Sequence, residues 1–154
     1  MKFVDFVDNR GYGIIIKYPS EWEKKENVLD TVVVFLSPLE DNVDKFRENL
    51  SIMIRPIDFN ADLLKDHVEY EIEQLKSTLP KFQLVKKAKM RISRNSGYKI
   101  IFQGKKKGVN VKLMQCYVII NRIIYLLTYT AEVDKFNKFI KAIKKMIKSF
   151  RVIN

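Results

Sequence analysis

One cysteine, Cys116, and one histidine, His67, are the whole supply of the two residue types that most often carry nucleophilic, acid–base and metal chemistry. A lone cysteine can close no internal disulfide. One His and one Cys cannot complete a four-ligand zinc site without carboxylates, and the acidic stretch Glu40, Asp41, Asp44 and Glu48 lacks the glycine and the spacing of an EF-hand loop. Glycine is equally scarce: Gly11-Tyr12-Gly13 and the Gly104 to Gly108 segment do not match a phosphate-cradling loop, which needs Gly-x-x-x-x-Gly-Lys followed by Ser or Thr, so both read as turns. Five Gly and four Pro in 154 residues leave no room for a low-complexity linker. No stretch approaches the roughly 18 apolar residues of a membrane-spanning helix. Asp5, Asp8 and Arg10 interrupt the N-terminus where a signal peptide needs an apolar core. The expectation is a cytoplasmic protein if the chain is complete as given, and an extracytoplasmic one if an export signal has been removed.

A further absence is local. From Gln74 to Ala131 there is no acidic residue, while thirteen Lys and Arg stand in the same stretch. Up to Glu73 the chain carries nine basic residues against sixteen acidic, and from Glu132 onward seven against two, for a net charge of +11. Such polarity bears on partners and association kinetics rather than on fold. Hydrophobic residues at 47% exclude disorder by composition. A chain of this size buries about two thirds of its surface, which suits one domain over residues 1–154, with residues 1–10 read as an N-terminal segment that could sit loosely upon it.

Periodicity supplies the elements. Gly13 to Tyr18, Thr31 to Ser37 and Asn49 to Ile57 read as strands, the first followed by the turn Pro19-Ser20-Glu21-Trp22, in which Trp22 reads as packing. Leu64, Val68, Ile72, Leu75 and Leu79 recur on one helical face; Asn60 or Asp62 can cap that helix and Pro80 closes it. In the next strand Phe82, Leu84, Ala88, Met90 and Ile92 share one face, leaving Lys87, Lys89 and Arg91 on the other. A turn around Arg94-Asn95-Ser96-Gly97 then sets Ile92 opposite Tyr98 and Arg91 opposite Lys99, a like-charge pair that calls for solvation or a bound anion. With Gly104 to Gly108 as the next tip, Phe102 meets Val111 and Ile101 meets Lys112. Asn121-Arg122 joins two strands that are apolar on both sides: Met114, Cys116, Val118, Tyr125 and Leu127 face one way, Leu113, Tyr117, Ile119, Ile124 and Leu126 the other. Phe136, Ile140, Ile143, Ile147 and Phe150 form the stripe of a closing helix whose wet side carries Lys138, Lys141, Lys145 and Lys148. The expected fold is α+β: an α/β/α sandwich with a central antiparallel sheet of about six to seven strands flanked by helices.

In this order the elements resemble the PsbP-like domains, whose fold is shared with a nuclear-transport factor that binds the GTPase Ran and with DcrB-type lipoproteins. The resemblance lies in Tyr12 to Trp22 at the start, Glu48-Asn49-Leu50-Ser51-Ile52-Met53-Ile54, Gly97-Tyr98 opening a strand, Tyr125-Leu126-Leu127-Thr128-Tyr129-Thr130-Ala131, and Ser149-Phe150-Arg151-Val152 after the last helix. It spans nearly the whole chain. That family has no shared catalytic apparatus, so the resemblance implies a non-enzymatic accessory or docking domain; its photosynthetic members bind a membrane complex and are usually exported. This chain is expected to depart from them in its lysine excess and, if it is complete as given, in having no export segment.

No catalytic residue, cofactor, metal or small-molecule substrate is expected. His67 reads as a surface residue of the acidic helix and Cys116 as a small core residue. Lys87, Lys89, Arg91, Lys99, Lys105, Lys106, Lys107 and Lys112 instead read as one basic surface that docks onto an acidic protein or membrane-associated complex. The alternative is non-specific nucleic-acid or anionic-lipid binding, against which stand the lack of exposed aromatics between the basic residues and of any recognised motif. Opposite acidic and basic poles make the expected state a monomer or a weak, salt-sensitive oligomer.

Overall fold

A computed structural model describes residues 1–39, 46–57 and 64–153. The carboxylates Glu40, Asp41 and Asp44 and the capping candidates Asn60 and Asp62 lie outside the described residues. The strands are β1 (Phe3–Val7), β2 (Ile14–Pro19), β3 (Glu23–Glu26), β4 (Thr31–Leu36), β5 (Asn49–Pro56), β6 (Gln83–Ile92), β7 (Asn95–Lys106), β8 (Val109–Ile120), β9 (Ile123–Glu132) and β10 (Arg151–Val152). The helices are α1 (Leu64–Thr78) and α2 (Phe136–Ser149), the second entered through a 3-10 turn at Val133–Lys135. Seven strands form one antiparallel sheet in the order β3-β4-β5-β9-β8-β7-β6, and a small second sheet runs β1-β2-β10. The sandwich anticipated from periodicity is therefore present, with α1 on one face of the large sheet and α2 with the small sheet on the other.

The β8–β9 hairpin at the centre follows directly from its residues. Asn121 and Arg122 both take positive φ, 53° and 66°, as a type I′ turn requires, and its twist matches that of the flanking strands. The register then pairs Cys116 with Leu127 and Val118 with Tyr125 on one side, and Tyr117 with Leu126 and Ile119 with Ile124 on the other. The first set joins Ile14, Ile16, Phe35, Ile52, Ile143 and Met146 in the larger core; the second meets Val68 and Ile72 of α1 in the smaller one. Complete burial of a side chain of this kind stabilises by about 1.5–3 kcal/mol, so both helices are held mainly by their apolar stripes. In α1, Asp66 near the start and Lys76 near the end also complement the helix dipole.

The β6–β7 hairpin differs from the sequence reading, and the difference moves charge. Its turn is Ser93-Arg94, with φ of 51° and 69°, rather than Arg94 to Gly97. Ile92 therefore pairs with Asn95, Arg91 with Ser96 and Lys99 with Ala88. The slip is odd in residues, which turns one strand's faces over relative to the other. Arg91 shares a face with Tyr98 and Ile100, toward α1, whereas Lys99 shares a face with Met90 and Cys116, toward α2. The expected Arg91–Lys99 opposition does not occur. The source of the error is Gly97: it is a strand residue paired with Val118, and its missing side chain lets the Tyr117 carbonyl approach where a Cβ would stand. A bulge between Leu84 and Lys86 adds a second break, putting Leu84 with Phe102 on the α1 face while Ala88, Met90 and Ile92 take the α2 face.

The β7–β8 hairpin turns at Lys107-Gly108, with φ of 49° and 80°, so Phe102 pairs with Leu113 and Gln103 with Lys112. This is a slide of two residues from the anticipated register, and the faces are preserved. The small sheet was not anticipated as such. Phe3–Val7, within residues 1–10, pairs with Ile15 to Pro19 of β2 and buries Phe6, while β10 pairs with the other edge of β2 and the Ile153 N–H donates to the Gly13 carbonyl at 2.7 Å.

Candidate functional site

The eight basic residues fall into three groups rather than one wall. Lys87, Lys89 and Arg91 project from the edge strand β6 on the α1 side; Lys99, Lys105 and Lys112 project on the α2 side; Lys106 and Lys107 stand at the β7–β8 tip between them. Local structure fixes each placement. Lys105 is anchored by its backbone N–H, which donates to the Pro80 carbonyl at 2.8 Å, and Lys112 holds its ammonium 4.6 Å from the centre of the Phe136 ring. Lys87 is bonded to Glu69 of α1, and this partner holds the Glu69 carboxyl below the usual carboxylate range. Among the described residues no ion pair engages Lys89, Arg91, Lys99, Lys105, Lys106, Lys107 or Lys112. The α2 side also gathers cations that sequence reasoning set aside: Arg94, Lys144, Lys148 and Arg151 converge with Lys99 around a cleft. Their separations along the chain gave no signal, since only folding brings α2, β10 and the β6–β7 turn together.

The residues able to carry chemistry are kept apart. Cys116 faces α2, fully buried, and desolvation pushes its thiol up to about 12 although Lys99 nearby opposes the shift. His67 packs edge-on against Tyr117 on the α1 side, with Nε2 at 3.6 Å from Glu71. The sheet thus separates the one thiol from the one imidazole, and they cannot form a nucleophile–base pair. Tyr117 donates its hydroxyl to Gln115 at 2.6 Å, and Tyr129 donates to the Phe136 carbonyl at 2.8 Å; burial raises both phenols well above their ordinary range. Trp22 is buried and meets Phe139 edge-on, as packing requires. Among the described residues, no three His, Cys, Asp or Glu side chains gather as a metal site, and no helix is long and apolar enough to cross a membrane.

Cys116 yields a direct test. At about pH 8 the thiolate is a minute fraction of the thiol, so iodoacetamide should label native protein far more slowly than denatured protein. Mass spectrometry showing equal labelling rates would contradict the buried assignment.

The seven-stranded antiparallel sheet, the small sheet completed by β10 and the two helices define a PsbP-like α+β fold. The sequence matches the DcrB family over residues 16–149, and the chain belongs to that family. The DcrB and PsbP-like families are not known as enzymes. No curated protein sequence matches the chain. Among solved structures it is similar to LpqN of Mycobacterium tuberculosis, described as involved in cell envelope biogenesis, at 13% identity and a TM-score of 0.74, covering 99% of this chain and 91% of that one. It is also similar to PA94 of Pseudomonas aeruginosa, a protein of unknown function and putative regulator, at 14% identity and a TM-score of 0.70, covering 100% and 99%. The cyanobacterial PsbP of Synechocystis sp. PCC 6803 matches at 14% identity and a TM-score of 0.68, covering 98% and 92%. At these identities the likeness is one of fold.

Proposed function

We propose that this DcrB-family chain is a non-enzymatic accessory domain that docks onto an acidic surface of a protein or membrane-associated complex through Lys87, Lys89, Arg91, Lys99, Lys105, Lys106, Lys107 and Lys112. The observation that carries this reading is the set of cations at and around the β7–β8 tip for which the described carboxylates provide no partner. Exposed cations gathered at a turn are open to a partner, and unopposed charge accelerates the encounter. The three groups divide the labour: the tip makes first contact, and the partner then wraps past it to reach the cations on both sides of the sheet. Exposed lysines also keep an open strand from pairing with another, which accounts for Lys86, Lys87 and Lys89 without any partner, so the tip is the discriminating element.

The test reverses Lys105, Lys106 and Lys107 to Glu and compares affinity capture from cell extract by the two proteins at low and at physiological salt. Partners held by wild type at low salt should be lost with the variant. Unchanged capture would overturn the reading, as would capture of nucleic acid alone with a steep salt dependence shared by all sequences.

A further inference from the structure

The cleft on the α2 side measures about 700 Å³, within the usual range of small-ligand pockets, about 300–1,000 Å³. Its floor is the apolar edge of the larger core, with Met90 partly exposed over the buried residues Ile92, Met114, Cys116, Ile147 and Phe150. Its rim is cationic: Arg94 from the β6–β7 turn, Lys99 from β7, Lys144 and Lys148 one turn apart on α2, and Arg151 from β10. Lys17 adds a further cation, but Asp5, the only carboxylate at the cleft among the described residues, pairs with it at 2.8 Å. The other rim cations have no ion-pair partner among the described residues.

Two features of the cleft point to one ligand chemistry. Like charges gathered around a concave, low-dielectric floor repel one another and focus a positive potential that an anion relieves. An inorganic anion would leave the apolar floor wet, while a neutral hydrocarbon would leave the cations unopposed. Only a molecule with both parts satisfies both. Met90 and Met114 add a floor able to adapt to a flexible chain. We infer that the cleft binds a monomeric, single-chain amphiphile, its carboxylate or phosphate head held by Lys99, Lys144, Lys148 and Arg151 and its alkyl tail laid on Met90, Met114, Ile147 and Phe150. This goes beyond docking at the hairpin tip, and it departs from the sequence-based expectation of no small-molecule substrate. Arg91 and Lys99 of the docking set also line the cleft, but Lys105, Lys106 and Lys107 do not, so reversal of the tip tests docking without touching the cleft, and the octyl ligands test the cleft without the tip.

The experiment titrates the full chain with octanoate, octyl phosphate, octanol and inorganic phosphate, following backbone amide resonances. Saturable shifts at Lys99, Met114, Phe150 and Arg151 are expected with octanoate or octyl phosphate, and whichever binds tighter identifies the head as a carboxylate or a phosphate. Octanol and inorganic phosphate should each bind about tenfold more weakly or worse. Lys99→Glu combined with Lys148→Glu changes two rim residues that are partly or fully exposed, and should weaken the amphiphile by about tenfold or more while leaving the rest of the amide spectrum in place. Equal binding of octanol and octanoate, equal binding of phosphate and octyl phosphate, or indifference to the double reversal would each overturn the proposal. Association with phosphatidylglycerol vesicles without any cleft shifts from the octyl ligands would do so too, assigning the cations to a membrane surface.

Discussion

Replacing Phe35 with alanine is expected to lower the free energy of unfolding by about 3–5 kcal/mol, read as a fall in the urea midpoint at unchanged slope. Phe35 lies on β4, fully buried, and joins the two sheets. Its ring stacks on Tyr18 of β2 with centroids 4.7 Å apart and meets Phe6 of β1 edge-on at 5.8 Å. Truncation removes the buried apolar surface and both aromatic contacts at once, and the sheet backbones on either side limit how far the cavity can collapse. Phe35→Leu keeps most of the volume and should lose less than half as much. Equal losses for the two variants would show that the inter-sheet contact does not depend on the ring.

Gly97→Val should destabilise by about 2–4 kcal/mol. A side chain there would overlap the Tyr117 carbonyl across the β7–β8 ladder, so the strands must separate and surrender hydrogen bonds. The paired control is Gly108→Ala at the β7–β8 turn, where a Cβ meets nothing within 4 Å and the strain comes only from φ of 80°. That change should cost about 1 kcal/mol. Urea denaturation of both variants separates close approach from backbone conformation, and a Gly97→Val protein as stable as wild type would mean that β7 and β8 can shift apart freely.

The same glycine explains much of what could and could not be read from the chain. Both helices were legible because Leu64, Val68 and Ile72, and Phe136, Ile143 and Ile147, repeat at helical spacing and so declare a buried face. The β8–β9 hairpin was legible because apolar residues on both sides of each strand, with Asn121-Arg122 between them, admit one register. The β6–β7 register was not: a glycine after Asn95-Ser96 looks like turn punctuation, and nothing local reveals that a neighbouring strand's carbonyl occupies its missing side chain. That one displacement divided a single predicted cationic surface between two sides of the sheet. Elements lacking any hydrophobic period were also hidden. Glu23–Glu26 is wholly exposed and becomes a strand only by pairing with β4, and Arg151–Val152 only by pairing with β2. The cleft was illegible for a related reason, because its rim draws on positions from Lys17 to Arg151 that are neighbours in space alone.

The outermost members of the seven-stranded sheet carry one more implication. On one flank Glu23, Lys24, Lys25 and Glu26 are all exposed, and on the other lie Lys86, Lys87, Lys89 and Arg91. A second molecule annealing to either flank would have to strip water from a row of ionised groups, at a penalty that the backbone bonds thus gained would scarcely offset. Fibrillar growth by edge-to-edge annealing is thereby discouraged at both ends of the ladder.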